Sequence, residues 1–393
     1  MNAAMNKHQT NVAVIGATAP SFSLDMCLGI RDGLKANGAD ARFFPINDRT
    51  NYHDLLEYYA EIKLSGDSFS IIDINGSVLE ALPKSIPVKN KFSWIIDHPV
   101  FHLERIRRYD GEMILGFVDM IHMADLGGLG IEWESIFLPH GGPAPDPAPL
   151  PMESRDIDIL FCGNISHLLV GSEFNLRIEG LPEKLATLVR ESIEVVLAEH
   201  TPPFRTLRTV GEGHSVDLLD SFSLAEVEGA CSLIKDFITA VRRLEALKAV
   251  SHLDVEMIGK LPDGVDAKAI FGTNSRIRFH GYKPFDELTE MMKRTKIIFN
   301  MNPVLVGGSH ERIWQAMAKG CVVATNESLF MRECFDDGKN VIISGNDYGS
   351  FAERLAVGLE DPAGLEDMAA GAAGIYVRDH TWKSRGKDIL AVL

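Results

Sequence analysis

One stretch near the C-terminal end, residues 296–325 (KIIFNMNPVLVGGSHERIWQAMAKGCVVAT), limits the fold most strongly. Lys296–Met301 is an apolar run with branched and aromatic residues, which is typical of a buried parallel strand. His310–Lys319 has helical spacing, and Cys321–Thr325 is a second apolar run. The pattern therefore predicts a strand, a loop, a helix and a second strand, which is the repeating unit of an α/β sheet.

The loop of this unit carries the feature that points to a ligand. Gly307 and Gly308 interrupt the apolar pattern, and Ser309 is a natural N-cap for the helix, which Gly320 would end. A glycine-rich loop that enters a helix exposes unpaired N–H groups and the positive end of the helix dipole, and both favour a phosphate. On pattern alone, an ordinary turn beside a solvated Glu311 explains the same residues equally well.

The amino-acid sequence of the helix also resembles that of a known protein family. HERIWQAMAKGCVVATN resembles the nucleotide-sugar-binding segment of GT-B glycosyltransferases, and is most similar to the CgeB-like group within glycosyl transferase family 1. The resemblance implies an α/β GT-B fold, with two Rossmann-like domains facing a central cleft. It also implies that the loop and the helix start face the diphosphate of a nucleotide-sugar donor.

Two positions depart from the family pattern. An acidic residue before Ala-Met-Ala holds the ribose hydroxyls in the family, and this chain has Gln315 there. Gln can still hydrogen-bond a hydroxyl, but it carries no charge. The paired glutamate of many retaining members would stand eight residues earlier, where this chain has Gly307. The resemblance therefore implies the fold and the class of donor, and leaves retention or inversion open.

Length and composition set the broad class. The chain has 393 residues, which suits two domains of about 150–200 residues each. Hydrophobic residues make up 46% and charged residues 24%, as in a water-soluble globular protein. No apolar stretch reaches the roughly 18–20 residues that span a membrane, and the N-terminal residues have no signal-peptide pattern. We expect a cytoplasmic protein without a transmembrane segment.

The net charge and the cysteine content limit which binding partners and metals we expect. The net charge of −16 argues against a general nucleic-acid binder, which needs a basic surface. The five cysteines are scattered without CxxC spacing, so we expect reduced thiols and no zinc site.

The N-terminal part reads as a Rossmann-like domain over residues 1–150. Asn11–Ala17 and Ala41–Ile46 have strand patterns and flank a helical pattern over Leu24–Asn37. The GxGxxG fingerprint of dinucleotide-binding domains is absent. Further strands are expected at Phe69–Ile74, Phe92–Ile96, Met113–Met123 and Ser135–Leu138.

Asp97 and His98 follow one of these strands, at Phe92–Ile96. The carboxyl ends of parallel strands are where an α/β protein places its chemistry. Either side chain is a candidate general base that would take a proton from an acceptor hydroxyl. The plainer alternative is an Asp that caps a loop and a His that makes ordinary surface contacts.

Residues 142–151 (GPAPDPAPLP) mark the domain boundary, because so many prolines cannot continue a helix or a central strand. A C-terminal nucleotide-sugar-binding domain would span residues 151–378. It would contain a helical insertion at about 165–250, which could shape the acceptor site or mediate oligomer formation. In GT-B proteins a terminal helix, here residues 379–393, packs back on the N-terminal domain.

The strand pattern at Asp156–Cys162 opens that domain and ends at Gly163 and Asn164. In the family, this turn lies near the donor phosphates. Asp156 and Asp158 form a DxD, which is a metal motif in another glycosyltransferase fold. Here it stands at the amino end of the strand, away from the ligand-binding edge, so we expect no metal site.

The turn Gly281–Pro284 resembles a family element that contacts the nucleobase. The resemblance thus implies a donor site formed by these residues: Gly163, Asn164, Tyr282, Lys283, Gly307, Gly308, Ser309, His310, Glu311, Arg312 and Gln315. Arg312 and Lys283 would bind the diphosphate, and Gln315 or Glu311 the ribose.

The resulting hypothesis is a metal-independent glycosyltransferase that uses a nucleoside-diphosphate sugar and needs no cofactor. Its acceptor could be a protein, a glycan or a small molecule. Two alternatives remain at this stage. One is a nucleotide-sugar epimerase or hydrolase, since epimerases share the fold. The other is a non-catalytic binding or scaffold protein, which the substitution at Gln315 favours.

Overall fold

The structure is a computed structural model that describes residues 10–16, 22–45, 53–77, 86, 90–109, 112–165 and 172–393. The chain forms two compact units. The first contains the chain up to Ala144 together with Arg378–Leu393, and the second contains Pro145–Val377.

The first unit is built on a six-stranded sheet in the order β2-β1-β3-β4-β5-β6, in which every pair of neighbours is parallel. Its strands are short and mostly buried, as in a sheet covered on both faces. They are β1 (Thr10–Gly16), β2 (Asp40–Pro45), β3 (Ser68–Ile74), β4 (Asn90–Ile95), β5 (Ile114–Phe117) and β6 (Glu134–Phe137).

The helices described in this unit are α1 (Phe22–Ala36), α2 (His53–Ser65), α3 (Leu103–Arg108), α4 (Met120–Ala124) and α16 (Trp382–Leu390). Glycines let α1 and α16 approach closely. A Cβ on Gly33 would lie 2.0 Å from the Trp382 carbonyl oxygen, and a Cβ on Gly29 would lie 2.4 Å from the Trp382 indole nitrogen. The C-terminal helix therefore completes the first unit.

The second unit contains another parallel six-stranded sheet, in the order β12-β11-β10-β7-β8-β9. Its core surrounds the central strands, where Phe161 and Phe299 pack with their ring centroids 5.4 Å apart. The strands are β7 (Ile157–Cys162), β8 (Val255–Ile258), β9 (Ile277–Phe279), β10 (Thr295–Asn300), β11 (Val322–Asn326) and β12 (Ile342–Ser344).

Among the described residues, five helices stand between β7 and β8: α5 (Ser172–Glu179), α6 (Glu183–Glu199), α7 (Pro203–Gly213), α8 (Leu218–Ser221) and α9 (Leu224–Ala249). We call them the insertion. A capping box between Ser223 and Glu226 fixes the start of the 26-residue helix α9. The remaining helices are α10 (Ala267–Phe271), α11 (Phe285–Lys293), α12 (Glu311–Ala318), α13 (Leu329–Cys334), α14 (Tyr348–Leu359) and α15 (Pro362–Asp379).

One expected strand pattern is wrong in its second half. Met113–Met123 contains β5 and then the short helix α4, rather than one or two strands. The cause is Asp119, whose carboxylate accepts a hydrogen bond from the N–H of Ile121 at 2.7 Å and so caps a helix. In the described part of the chain, no helix is both long enough and apolar enough to cross a lipid bilayer.

Candidate functional site

The sheet of the second unit has a topological switch point between β7 and β10. The chain runs from β7 outward to β8 and β9, then returns to β10 on the other side of β7. In open parallel sheets, ligands bind outside the carboxyl ends of the strands at such a point. The described residues gathered there come from the turns after β7 and β8, the loop after β10, and the insertion.

Glycine turns bring the ends of β7, β8 and β9 together. Gly259 follows β8 with φ +149°, and a Cβ there would lie 2.1 Å from the Gly163 carbonyl oxygen. The N–H of Gly259 donates a hydrogen bond to the Gly281 carbonyl at 3.0 Å. Asn164 fixes the same edge, since its side-chain Oδ1 accepts a hydrogen bond from the N–H of Lys260 at 3.0 Å. Only a residue without a side chain fits at Gly259.

The N-cap of α12 is His310, whereas the sequence predicted Ser309. Nδ1 of His310 lies 3.3 Å from the backbone nitrogen of Arg312, and the same atom lies 2.6 Å from a carboxylate oxygen of Glu311. The Ser309 hydroxyl accepts a hydrogen bond from the indole N–H of Trp314 at 3.2 Å. That bond takes the hydroxyl away from the helix start.

The glycine loop itself is covered. Gly307, Gly308 and Ser309 are all buried, and the space lined by Gly308 and Ser309 has a volume of about 10 Å³, enough for about one water molecule. Gln315 is 3% exposed, while Glu311 is partly exposed. Glu311 is therefore better placed than Gln315 to reach a bound ribose.

Two arginines converge at the switch point. Arg243, from α9, donates hydrogen bonds to the carbonyl of Met301 after β10 and to that of Asn164 after β7, both at 2.9 Å. Arg312, in the first turn of α12, donates to Oδ1 of Asn300 at 3.0 Å. Arg243 thereby joins the ends of both strands that border the switch point.

Electrostatics at this point favours an anion. Desolvation, and next the nearby charge of Arg312, lower the pKa of Arg243 to about 9, and Glu311 acts in the opposite direction. The pKa of His310 is also lowered, chiefly by burial, so its ring adds no positive charge at neutral pH. A bound anion would relieve the repulsion between the two guanidinium groups.

Arg243 was not predicted from the sequence as a site residue. It lies next to Arg242 in a long amphipathic helix, where a basic pair normally marks a solvated face. Arg242 turns to Leu197 and His200 within the insertion, whereas Arg243 reaches the sheet. A local pattern does not distinguish the two directions.

Tyr282 and Lys283 lie on the turn that follows β9. The Tyr282 side chain is 69% exposed. Lys283 donates a hydrogen bond to a carboxylate oxygen of Glu287 at 2.9 Å, an exposed pairing between residues four apart in sequence. A phosphate would therefore have to compete with Glu287 for this lysine.

Comparison with known proteins gives a family match and several structural neighbours. Residues 239–391 match the family model described as "Glycosyl transferase-like". This match contains Arg243, the loop after β10 and the whole of α12. No curated protein sequence matches the chain.

This segment is glycosyl transferase-like.

The fold of the whole chain is GT-B. Anabaena HepE in complex with UDP and glucose superposes with a TM-score of 0.54 at 10% identity, covering 97% of this chain and 98% of HepE. Sucrose-phosphate synthase from Thermosynechococcus elongatus gives 0.54 at 11% identity, covering 98% of each chain. An alpha-glucosyltransferase in complex with UDP-glucose and abasic DNA gives 0.53 at 12% identity, again covering 98% of each chain. The predictions of a GT-B fold and of a glycosyltransferase-class enzyme are confirmed, and the CgeB-like group stays a prediction.

The two carboxylates of the DxD motif in this GT-B chain form ion pairs with basic residues. Arg294 donates to Asp156 at 2.8 Å, and Lys296 donates to Asp158 at 2.7 Å. Both basic residues stand at the start of β10, so the pairs close the amino edge of the sheet.

In the first unit, Asp97 and His98 lie at the carboxyl edge but differ in access. The Asp97 side chain is 59% exposed. Nδ1 of His98 accepts a hydrogen bond from the N–H of Val100 at 3.2 Å, and its Nε2 lies 3.3 Å from Asp125. Because both ring nitrogens of His98 are engaged, Asp97 is the better placed of the two to meet an acceptor.

Asn75 holds Asp97 in place. Its Nδ2 donates to Oδ2 of Asp97 at 3.0 Å, and its Oδ1 accepts from the N–H of Ile96 at 2.8 Å. Asn75 itself has φ +57°, a left-handed conformation that is uncommon outside glycine and is often found at functional sites. Nε2 of His102 lies 3.7 Å from the same Asp97 oxygen. Asn75 was not predicted from the sequence, although an Asn-Gly pair directly after a strand is a pattern that favours a turn.

Proposed function

We propose that this chain transfers a glycosyl group from a nucleoside-diphosphate sugar to an acceptor hydroxyl. The observation that carries the proposal is the convergence of Arg243 and Arg312 at the switch point, within the segment that matches the glycosyl transferase-like family model. HepE and the alpha-glucosyltransferase, which share the fold, are bound to UDP or UDP-glucose, so UDP is the first nucleotide to test.

In this proposal the diphosphate lies against the two arginines and the first turn of α12. Breaking the bond between the sugar and the diphosphate leaves negative charge on the leaving oxygen, and fixed cations lower the free energy of that transition state. Two guanidinium groups supply this charge without a metal ion. The DxD carboxylates are engaged with Arg294 and Lys296, which supports metal-independent transfer.

The remaining donor groups are assigned by position. Gly163 and Asn164 form the turn on which Arg243 is fixed, and Tyr282 offers an exposed ring for the nucleobase. Glu311 binds the ribose hydroxyls, with Gln315 behind it in the helix.

The first unit supplies the acceptor side, with Asp97 as the general base of an inverting transfer. Asp97→Asn should reduce transfer by about 10²–10⁴-fold, the usual contribution of a positioned base. His98→Gln should reduce it much less, because His98 already contacts Val100 and Asp125. Unchanged turnover of the Asp97, His98 double alanine variant would remove this assignment.

The test of the proposal is a binding and turnover screen with UDP-, GDP-, CMP-, TDP- and ADP-sugars, with and without EDTA. We expect one nucleotide to raise the melting temperature by mass action, and its sugar donor to be consumed in EDTA as fast as without it. Binding without consumption of the donor in the presence of protein, glycan and small-molecule acceptors would favour a non-catalytic binding protein, and consumption without any acceptor would favour a hydrolase. No binding by folded protein would overturn the proposal.

A further inference from the structure

The second unit contains a cavity of about 290 Å³ beside the chain that leaves β10. Its walls come from the carboxyl ends of β10, β11 and β12, the start of α14, and the end of α6 at Glu199 and His200. Since α6 belongs to the insertion, the insertion contributes part of the wall. Arg243 and Arg312 are not among the described lining residues, but Met301, whose carbonyl accepts a hydrogen bond from Arg243, is one of them, so the cavity adjoins the proposed diphosphate site.

Among the described residues, one buried hydroxyl in the wall of this cavity has no hydrogen-bond partner. Ser344 ends β12, is 2% exposed, and its Oγ makes no hydrogen bond within the described part of the chain. A buried hydroxyl without a hydrogen bond is costly and is usually satisfied by water or by a ligand. Ser344 stands beside Asn326 in the sheet register, and both line the cavity.

The charges of the wall exclude an anion. Glu199 and Glu327 line the cavity, and none of its described lining residues is a lysine or arginine. Two guanidinium groups contact lining residues and are engaged there: Arg332 donates to Glu327 at 3.1 Å, and Arg242 lies 3.1 Å from Nε2 of His200. A phosphate would meet two negative charges and no available cation there.

The wall also contains apolar residues. Pro303, Val306 and Leu329 line the cavity, as does Tyr348. Carboxylate and hydroxyl groups facing an apolar surface match a pyranose, which has a rim of hydroxyls and a face of C–H groups. The volume of about 290 Å³ is just below the range of about 300–1,000 Å³ for drug-sized ligands, which suits a single sugar ring better than a nucleotide sugar.

We propose that this cavity is a second binding site, specific for one neutral monosaccharide unit. The hydroxyl of Ser344 and the carboxylate of Glu327 bind the sugar hydroxyls, and Leu329 and Val306 cover its apolar face. This proposal does not rest on the proposed transferase function.

The test is isothermal titration of the full chain with D-glucose, D-galactose and N-acetyl-D-glucosamine. Putrescine is titrated as a cationic probe, and inorganic pyrophosphate as a probe of the arginine site. We expect saturable binding of at least one sugar, with a Kd on the order of 1 mM for so small a ligand. Pyrophosphate should bind without competing with the sugar.

Two variants examine the proposed contacts. Ser344→Ala and Glu327→Gln should each weaken sugar binding about five- to tenfold, the usual loss for one hydrogen bond. Ser344→Ala removes an unsatisfied hydroxyl, so the melting temperature of the sugar-free protein should not fall. Ser350→Ala, the same change at an exposed position near the start of α14, is the control and should alter neither quantity.

Three results would overturn the proposal. They are an absence of saturable sugar binding in protein that still binds pyrophosphate, sugar affinities unchanged in both Ser344→Ala and Glu327→Gln, and saturable binding of putrescine alone. Loss of pyrophosphate binding with sugar binding retained would instead count against the proposed transferase function.

Discussion

Replacing Arg243 by alanine should separate ligand binding from stability. The side chain makes two hydrogen bonds, to the carbonyls of Met301 and Asn164, and it lies in the field of Arg312. Three variants define the experiment: Arg243→Ala, Arg243→Lys, and Arg190→Ala as a control on an exposed position of the same insertion.

The expected magnitudes follow from these contacts. Losing two hydrogen bonds of about 0.5–1.5 kcal/mol each destabilises the ligand-free protein. Removing a desolvated cation stabilises it, and lowering the pKa of Arg243 to about 9 corresponds to at most about 5 kcal/mol. Because these effects oppose each other, we expect the free energy of unfolding of Arg243→Ala to stay within about 2 kcal/mol of the wild type.

Binding should change far more. A hydrogen bond to a charged group contributes about 1.5–3 kcal/mol, so the affinity for pyrophosphate or UDP should fall about 10–150-fold in Arg243→Ala. Arg243→Lys keeps the charge but loses the planar fork, and should bind with intermediate affinity. Isothermal titration at one fixed salt concentration measures the affinity, and urea unfolding measures the stability. Wild-type affinity in Arg243→Ala would refute the reasoning, as would equal losses in Arg190→Ala.

Three further predictions concern stability. Gly259→Ala should lower the free energy of unfolding by more than about 3 kcal/mol and impair nucleotide binding, because its Cβ would lie 2.1 Å from the Gly163 carbonyl. The control Gly264→Ala, at φ +72° and with no atom within 4 Å, should lower it by only about 1 kcal/mol, and thermal unfolding compares the two variants. Burial lowers the pKa of His122 from 6.5 to about 4, so the folded first unit binds fewer protons than the unfolded chain in that window. It should lose up to about 3 kcal/mol as the pH falls from 6.5 to 4, and His122→Phe should reduce this loss in hydrogen-exchange measurements on β5. Burial likewise lowers the pKa of Lys91 from 10.5 to about 8, although its Nζ lies 3.9 Å from the centroid of an aromatic ring. Lys91→Met should therefore stabilise the first unit by about 1–3 kcal/mol at pH 7. A stability gain that did not shrink between pH 8 and 10.5 would contradict this assignment.

The sequence predicted the elements whose local signals agree with one another. The predicted helix His310–Lys319 agrees with α12 to within one residue at each end, because Gly320 follows it in a left-handed conformation with φ +69°. The strand before the glycine loop was also predicted within a residue or two of β10. The helix His53–Ser65 was not identified, since its apolar residues give only a weak helical periodicity.

The site was less predictable, because it depends on contacts between segments distant in sequence. Arg243 contacts carbonyls 58 and 79 residues away along the chain, and no local pattern encodes such a contact. Ser309 and His310 show the same limit on a smaller scale. Ser309 is the better cap by propensity, but Trp314 five residues later takes its hydroxyl.

The close approach of α1 and α16 has a consequence for synthesis on the ribosome. Trp382 fills the space left by Gly29 and Gly33, so the first unit lacks part of its packing until the last residues of the chain have been made. Translation of Pro145–Val377 takes roughly ten to fifty seconds at ordinary rates, and a chaperone would have that long to engage the uncovered face of α1. The second unit, which is continuous in sequence, would be complete first.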